Sequence, residues 1–367
     1  MTVLPPDVVR TMVNSGLSLA VFERLRTRLR SGRWTEASNR LPHPVEPPAD
    51  RDIERLPADV KALRDRGESA LRDGEVGVVL LNGGMATRFG EQVKGVVMVA
   101  GGASFLGLKL RDAQRAAARA GGPPVPVILM NSVATAAATA LHLDHWDRFG
   151  MPGELVWSFE QHWAPRLCLD GELFRDAEGK PSFCGTGHGD LPECLAHSGL
   201  LDRFAERGGR HLLMSNVDNA AATLDPVLLG WHLTRGTALT VEVVDKVPGD
   251  AGGAPMRVGG RPQIVEAFRL PSDVAPDASP VFNTNTLWLS LEALRAPAEL
   301  TWLRVQKVVA GQSVVQFERL VGELSAFVDT AFLHVSRAGL DSRFVPVKTP
   351  EDLASARDAL LAVWSAR

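Results

Sequence analysis

Apolar positions fall into two textures along the chain, and the change comes near residue 75. Before it, VVRTMVNSGLSLAVFERLRTRLR carries apolar residues at helical spacing with arginines between them. LPHPVEPPAD interrupts that pattern with prolines. LPADVKALRDRGESALRDG resumes it and ends at Gly74, a residue suited to close a helix. After it, short continuous apolar runs alternate with amphipathic stretches. VGVVLL, VPVILM, ELVWSF, RHLLMS and ALTVEVV read as strands, and QIVEAF, FNTNTLWL and WLRVQKVVAG are strand-like. TAAATALHLDHW, DLPECLAHSGLLDRFAERGG, DPVLLGWHLTRG, VVQFERLVGELSAF and PEDLASARDALLAVWSAR read as helices.

Buried strands alternating with helices predict an α/β fold around a mixed, mostly parallel sheet. In such sheets ligands bind beyond the carboxyl ends of the strands, and the polar loops of this sequence fall there. The expected organisation is an N-terminal helical segment over 1–74, an α/β domain over 75–310, and a C-terminal segment over 311–367 packing on it.

Composition narrows the chemistry. Of 367 residues, 45% are hydrophobic and 23% charged, which supports a real core. The net charge of −3 gives no global field to recruit nucleic acid, so an anionic ligand needs a local site. No apolar run reaches the length of a membrane span. MTVLPPDVVRTMVNSG lacks the pattern of a secretory signal. Three cysteines, Cys168, Cys184 and Cys194, without a CxxC pair point to reduced thiols in a cytoplasmic protein.

The strongest local signal is LNGGMATRFGEQVKG, placed directly after the first buried strand. Gly83 and Gly84 permit close backbone approach to a ligand, and N–H groups in such a turn can cradle an anion. Thr87 adds a hydroxyl, Arg88 a planar fork of donors and Lys94 a point charge, a set that suits a triphosphate. The spacing matches neither GxxxxGK[ST] nor GxGxxG.

This loop resembles the signature loop of the UDP-sugar pyrophosphorylases, LxGGxGTRxG…PKG. GTGHGDL, MSNVDNAAATLDP, VFNTNTLWLSLEAL, and VVQFERLVGE with SRFVPVKTPEDL resemble the UTP–glucose-1-phosphate uridylyltransferase branch, in the same order, over roughly residues 77 to 352. The sequence departs from the family pattern at Ala86, where a third glycine is usual, at Val93, where a proline is usual, and at Thr286, where an asparagine is usual. The resemblance ends soon after PVKTPEDL, so the C-terminal β-helix of eukaryotic relatives is not expected here. It implies a nucleotide-diphospho-sugar transferase (Rossmann-like) fold. It also implies joining of UTP to a hexose 1-phosphate, glucose 1-phosphate first, with Mg²⁺ as cofactor and pyrophosphate released. The other UDP-sugars, N-acetylhexosamines among them, remain open as products. The expected assembly is a monomer or small homo-oligomer.

That reaction sets the residue types to look for. A sugar-phosphate oxygen attacks the α-phosphorus and is already an anion, so charge stabilisation matters more than a general base. Arg88, Lys94 and, by resemblance, Lys307 are the expected catalytic cations. Leu81, Gly83, Gly84, Thr87, Gln161, Gly187 and Asp218 are expected to bind the nucleotide, with Gln161 reading the uracil edge by resemblance. Asp218, a hard oxygen ligand at a strand's end, is the expected Mg²⁺ ligand, although an Asx turn would use the same residues. His188, Asn216, Glu266, Asn283 and Asn285 are expected on the sugar, with Gly253 beside it by resemblance, although a hairpin turn would use the same glycine. Strand alternation would turn Asn283 and Asn285 to one face. Lys246 ends a strand and is equally suited to the surface. His142 and His145 lack the neighbours that would complete a zinc site. A glycosyltransferase is the second reading; its usual DxD motif occurs only as Asp50-Arg51-Asp52, in the Pro-rich stretch. A non-catalytic nucleotide-sugar binder is the third.

Overall fold

The computed structural model describes residues 3–42, 44–86, 92–347 and 349–366. Its centre is an eight-stranded sheet. In chain order the strands are β1 (Ile53–Arg55), β2 (Val76–Leu81), β3 (Val127–Asn131), β4 (Val156–Glu160), β5 (His211–Asn216), β6 (Leu239–Asp245), β7 (Val281–Ser290) and β8 (Thr330–His334). Across the sheet they lie β1-β8-β6-β7-β5-β2-β3-β4. Only β7 runs against its neighbours; every other pairing is parallel. The mixed, mostly parallel α/β sheet of the sequence reading is therefore present.

Apolar strands such as β2, β3 and β5 are buried because helices cover both faces. One layer of core includes Phe105, Leu110 and Trp288; the other includes Leu195, Phe204 and Phe332. The helices Lys61–Arg72 and Pro226–Arg235 cross at backbone contact. A Cβ on Gly67 would lie 1.9 Å from the Pro226 carbonyl oxygen, and one on Gly230 would lie 1.8 Å from that of Leu63. These two glycines permit the crossing.

The first 74 residues are not purely helical. Helices Pro6–Asn14 and Leu19–Arg30 form as the spacing predicts, separated at Gly16 with φ +93°. The Pro-rich stretch, however, supplies the two-residue strand Val45–Glu46 to a small sheet and leads into β1 of the central one. Isolated prolines suit such short edge pieces. The region 191–206 is likewise two helices, broken at Gly199 with φ +73°.

VVQFERLVGELSAF is not a helix. Gln312–Glu318 is a strand paired antiparallel with Leu303–Val309, and Val321–Ala326 is a short 3₁₀ turn. Ala310 and Gly311, both at positive φ, make the tight turn between the strands. The apolar positions fit either period. The turn and the β-branched Val314 and Val315 decide for strand. Positions 310 and 311, read from the sequence as a boundary, are the tip of this hairpin. The segment beyond them supplies β8 to the central sheet rather than packing against it. No described helix is long and apolar enough to cross a membrane.

Candidate active site

The glycine loop leaves β2 at Leu81, at the carboxyl edge of the sheet. Asn82 is buried there, and its Nδ2 donates to Asn131 Oδ1 and Thr139 Oγ1, each at 2.8 Å. Met85–Ala86 pairs with Gln92–Val93, so the loop returns on itself, and Lys94 N donates to the Gly84 carbonyl at 3.3 Å. Val93 is buried in this ladder. Thr87 and Arg88 lie outside the described residues.

Lys94 reaches across to β5. Its Nζ donates to Asp218 Oδ2 at 2.6 Å. The loop that carries Asp218 is fixed from behind. Buried Lys109 Nζ donates to Ser215 Oγ at 3.1 Å and to the Ala222 carbonyl at 2.6 Å, bridging the two ends of the loop. Burial pulls the Lys109 ammonium down to about 7. Asn219 Nδ2 donates to the Arg343 carbonyl, and Asn219 Oδ1 accepts from Val345 N.

A cleft of about 760 Å³ opens beyond these strand ends. Leu81, Gly83, Gly84 and Lys94 form one side of its lining, and Asn216, Asp218 and Asn285 form another. Gln161, Gly187, His188 and Lys307 complete the set of expected residues in its walls. Gly83 and Gly185 leave room for the Gln161 amide: a Cβ on Gly185 would lie 1.8 Å from Gln161 Nε2. His188 Nδ1 accepts from Val321 N at 3.0 Å, so its proton sits on Nε2. Burial lowers His188 to about 4, and the ring is a neutral donor at pH 7. Lys307 stands exposed on the Leu303–Val309 strand, opposite Val314, at the lip of the cleft.

Asn283 and Asn285 do not share a face. The register of β7 against β6 slips between Glu242 and Val243, and Asn285 adopts φ +55°. This bulge turns Asn285 into the cleft, where its Nδ2 donates to Asn216 Oδ1 at 2.9 Å. Asn283 stays buried, and its Oδ1 accepts from Asn285 N at 2.9 Å. Thr286 is also buried and does not line the cleft.

Gly253 and Glu266 face each other in a separate hairpin, outside the cleft lining. Burial raises the Glu266 carboxyl from 4.5 to about 7. Between those values the folded form keeps a proton that the unfolded chain releases, so this group costs stability as pH rises from 4.5 to 7. Glu266→Gln should therefore gain on the wild type in urea midpoint across that window. Midpoints that stay parallel would rule out the shift.

Other expectations resolve simply. Lys246 is half-buried and donates to the Pro276 carbonyl, away from the cleft. His142 Nε2 meets Ser104 Oγ at 2.8 Å. Asp52 of the DxD string is taken up by Arg257 at 2.7 Å.

Among the cleft residues that escaped the sequence reading are Arg166, Gln316 and Glu318. Arg166 Nη1 donates to Ser182 Oγ and to the Phe183 carbonyl. With its amide turned to accept from Arg166 Nε at 2.6 Å, Gln316 donates to Glu318 Oε1 at 3.1 Å. Burial raises the Glu318 carboxyl, while Lys307 and Arg166 pull it down. Gln316 and Glu318 were hidden because their segment reads as a helix, and Arg166 because it stands alone among apolar residues.

Asp218 suits Mg²⁺. It is a carboxylate at a strand end facing a cleft lined by lysines, and Mg²⁺ commonly takes one or two carboxylates with phosphate oxygens and water. His162, Asp190 and Cys194 also lie close enough to hold an ion. There Arg319 already occupies Asp190 at 2.6 Å, and burial pushes the Cys194 thiol up, so a cation is disfavoured. A larger cleft of about 1170 Å³ lies beside β4 and the helix Pro6–Asn14, but among the described residues no lysine or arginine lines it. Chemistry rather than size selects the smaller one for a polyphosphate.

Residues 21–366 match the family model described as UTP–glucose-1-phosphate uridylyltransferase. The chain belongs to that family. It is 28% identical over 348 residues to the UTP–glucose-1-phosphate uridylyltransferase of Encephalitozoon cuniculi, covering 91% of this chain and 66% of that one. It is 29% identical over 313 residues to that of Solanum tuberosum, covering 81% and 62%. The chain thus spans about two thirds of the length of these relatives. Among solved structures it resembles UDP-glucose phosphorylase from Trypanosoma brucei, with a TM-score of 0.74 at 26% identity, covering 95% of this chain and 78% of that one. It also resembles a point mutant of UDP-glucose pyrophosphorylase from Leishmania major in complex with UDP-glucose, with a TM-score of 0.70 at 25% identity, covering 94% and 77%. UDP-N-acetylglucosamine pyrophosphorylase from Trypanosoma brucei shares the fold, with a TM-score of 0.72 at 21% identity over 86% of this chain and 72% of that one.

Proposed function

We propose that this chain transfers a uridylyl group from UTP to a hexose 1-phosphate, glucose 1-phosphate first, and releases pyrophosphate. The observation that carries the reading is the gathering of Lys94, Asp218, His188, Asn285 and Lys307, from five separate segments, around one cleft at the sheet's carboxyl edge. Family membership and the UDP-glucose held by the Leishmania major relative support it.

In this reading the backbone of Gly83 and Gly84 and the Lys94 ammonium hold the triphosphate. Gln161 meets the uracil. Asn216 and Asn285 orient the sugar, and His188 donates from Nε2 to a sugar or phosphate oxygen. Gly253, Glu266 and Asn283 shape the sugar side from behind the cleft wall. The sugar phosphate oxygen attacks the α-phosphorus, the bond from that phosphorus to the bridging oxygen breaks, and pyrophosphate leaves with the charge. Lys94 and Lys307 stabilise the charge that spreads over the phosphate oxygens. Mg²⁺, held by Asp218, adds charge neutralisation there when bound. We place the enzyme in the cytoplasm as a monomer or small homo-oligomer.

The test is a matrix of nucleoside triphosphates against sugar 1-phosphates with Mg²⁺, read by pyrophosphate release. UTP with glucose 1-phosphate should give the highest kcat/KM. Faster release with N-acetylglucosamine 1-phosphate would move the substrate assignment, and no release with any pair would reject the reaction.

A further inference from the structure

The Lys307 hairpin and the His188 loop are joined by one side chain. Arg319 follows the hairpin's second strand directly, and its backbone is stitched to the loop. Arg319 N donates to the Thr186 carbonyl at 2.8 Å, and Gly189 N donates to the Arg319 carbonyl at 2.9 Å. The fit is close: a Cβ on Gly187 would lie 2.4 Å from Arg319 O, and one on Gly189 would lie 2.5 Å from Arg319 C.

The guanidinium repeats the connection. Nε and Nη2 both donate to Asp190 Oδ1, at 3.0 and 2.6 Å, and Nη2 also donates to Glu193 Oε2 at 2.9 Å. Asp190 is fully buried at the end of the His188 loop, where Thr186 Oγ1 and His162 N also donate to it. On its other side the guanidinium carbon lies 4.4 Å from the ring centre of Trp302, which leads into the hairpin's first strand. One planar cation therefore touches both strands' roots and the loop. A buried charge pair with this many satisfied donors specifies one arrangement more than it adds stability. The hairpin is also held elsewhere, by backbone bonds between Leu167 and Val315, by two bonds between Asn39 and the Arg304 backbone, and by Phe317 packed against Phe22 and Trp34, but none of these reaches the His188 loop.

We propose that Arg319 is a positioning residue: it locks the hairpin bearing Lys307 to the loop bearing His188, so the two walls meet the reacting phosphates at fixed separation. The proposal rests on the reaction proposed above. Misplacement of a catalytic group by about 1 Å costs on the order of 100-fold. Arg319→Met should lower kcat on the order of 10- to 100-fold while the KM for UTP moves little. Arg319→Lys, which keeps the charge but not the fork, should restore part of the loss.

A double-mutant cycle with Lys307→Met decides between positioning and general stability. If Arg319 acts through Lys307, Arg319→Met should cost less than about threefold in kcat once Lys307 is absent. Equal losses in both backgrounds, or an unchanged kcat, overturn the proposal. Hydrogen exchange gives a readout that does not need turnover. In Arg319→Met, and more weakly in Arg319→Lys, the amides of 186–190 and 303–318 should exchange faster together while those of β2 and β5 do not change. Acceleration of only one segment, or of neither, overturns the coupling even in a protein that turns over no substrate pair.

Discussion

Lys94→Ala is expected to lower turnover by about 10³-fold with little change in thermal stability, equivalent to about 4 kcal/mol of barrier. The lysine is fixed at the foot of the glycine loop by its backbone bond to Gly84, and its ammonium faces the cleft beside Asp218. In the free protein that ammonium neutralises Asp218 at 2.6 Å. In the proposed reaction, an entering triphosphate would take up that charge and leave Asp218 free to hold Mg²⁺. The side chain is partly solvent-exposed, so its removal leaves no large buried void. Single-turnover pyrophosphate release, with circular dichroism to check the fold, measures the effect. A variant within tenfold of wild-type turnover would remove Lys94 from the reaction.

Arg343→Leu is expected to cost about 3–5 kcal/mol of stability, because it leaves a buried carboxylate without its partner. Glu242 lies in the middle of β6 with no solvent exposure. Its two oxygens accept from Arg343 Nε at 2.9 Å and Nη2 at 2.7 Å, and Oε1 also accepts from Trp288 Nε1 at 3.0 Å. Arg343 Nη1 extends the network to the Thr223 carbonyl and hydroxyl. The pair thereby joins the C-terminal segment, the sheet and the loop that carries Asp218. Urea unfolding would read the loss directly. The double variant Arg343→Leu with Glu242→Leu should recover much of it, since no unpaired charge then remains. A single variant within about 1 kcal/mol of the wild type would contradict this account.

The loop of Gly83, Gly84 and Lys94 and the turn at Asp218 were legible in the sequence because residue type and place agree there. Each follows a strand whose unbroken apolar run betrays burial, and each changes to polar residues at the strand's end. Long-range placement was harder. Asn283 and Asn285 were set on one face by strict alternation, and a bulge beside Glu242 separates them. Nothing in FNTNT alone encodes a slip that depends on how β7 meets β6. The Lys307 hairpin shows the same limit. Its second strand has an apolar pattern that also suits a helix, and the two-residue turn at Ala310 and Gly311, with the β-branched Val314 and Val315, decides the matter. Misreading that strand concealed Gln316 and Glu318, and with Gln316 one partner of Arg166. Gly67 and Gly230 were silent for a related reason: their use becomes visible only when the two helices meet.

The most direct measurement is a crystal structure grown with UDP-glucose. The diphosphate should lie between Lys94 and Lys307, with the uracil against Gln161, the sugar beside Asn285 and His188, and Lys94 drawn off Asp218 toward a phosphate oxygen. Density for UDP-glucose in the cleft beside β4 instead, with the Lys94–Asp218 pair undisturbed, would contradict the account.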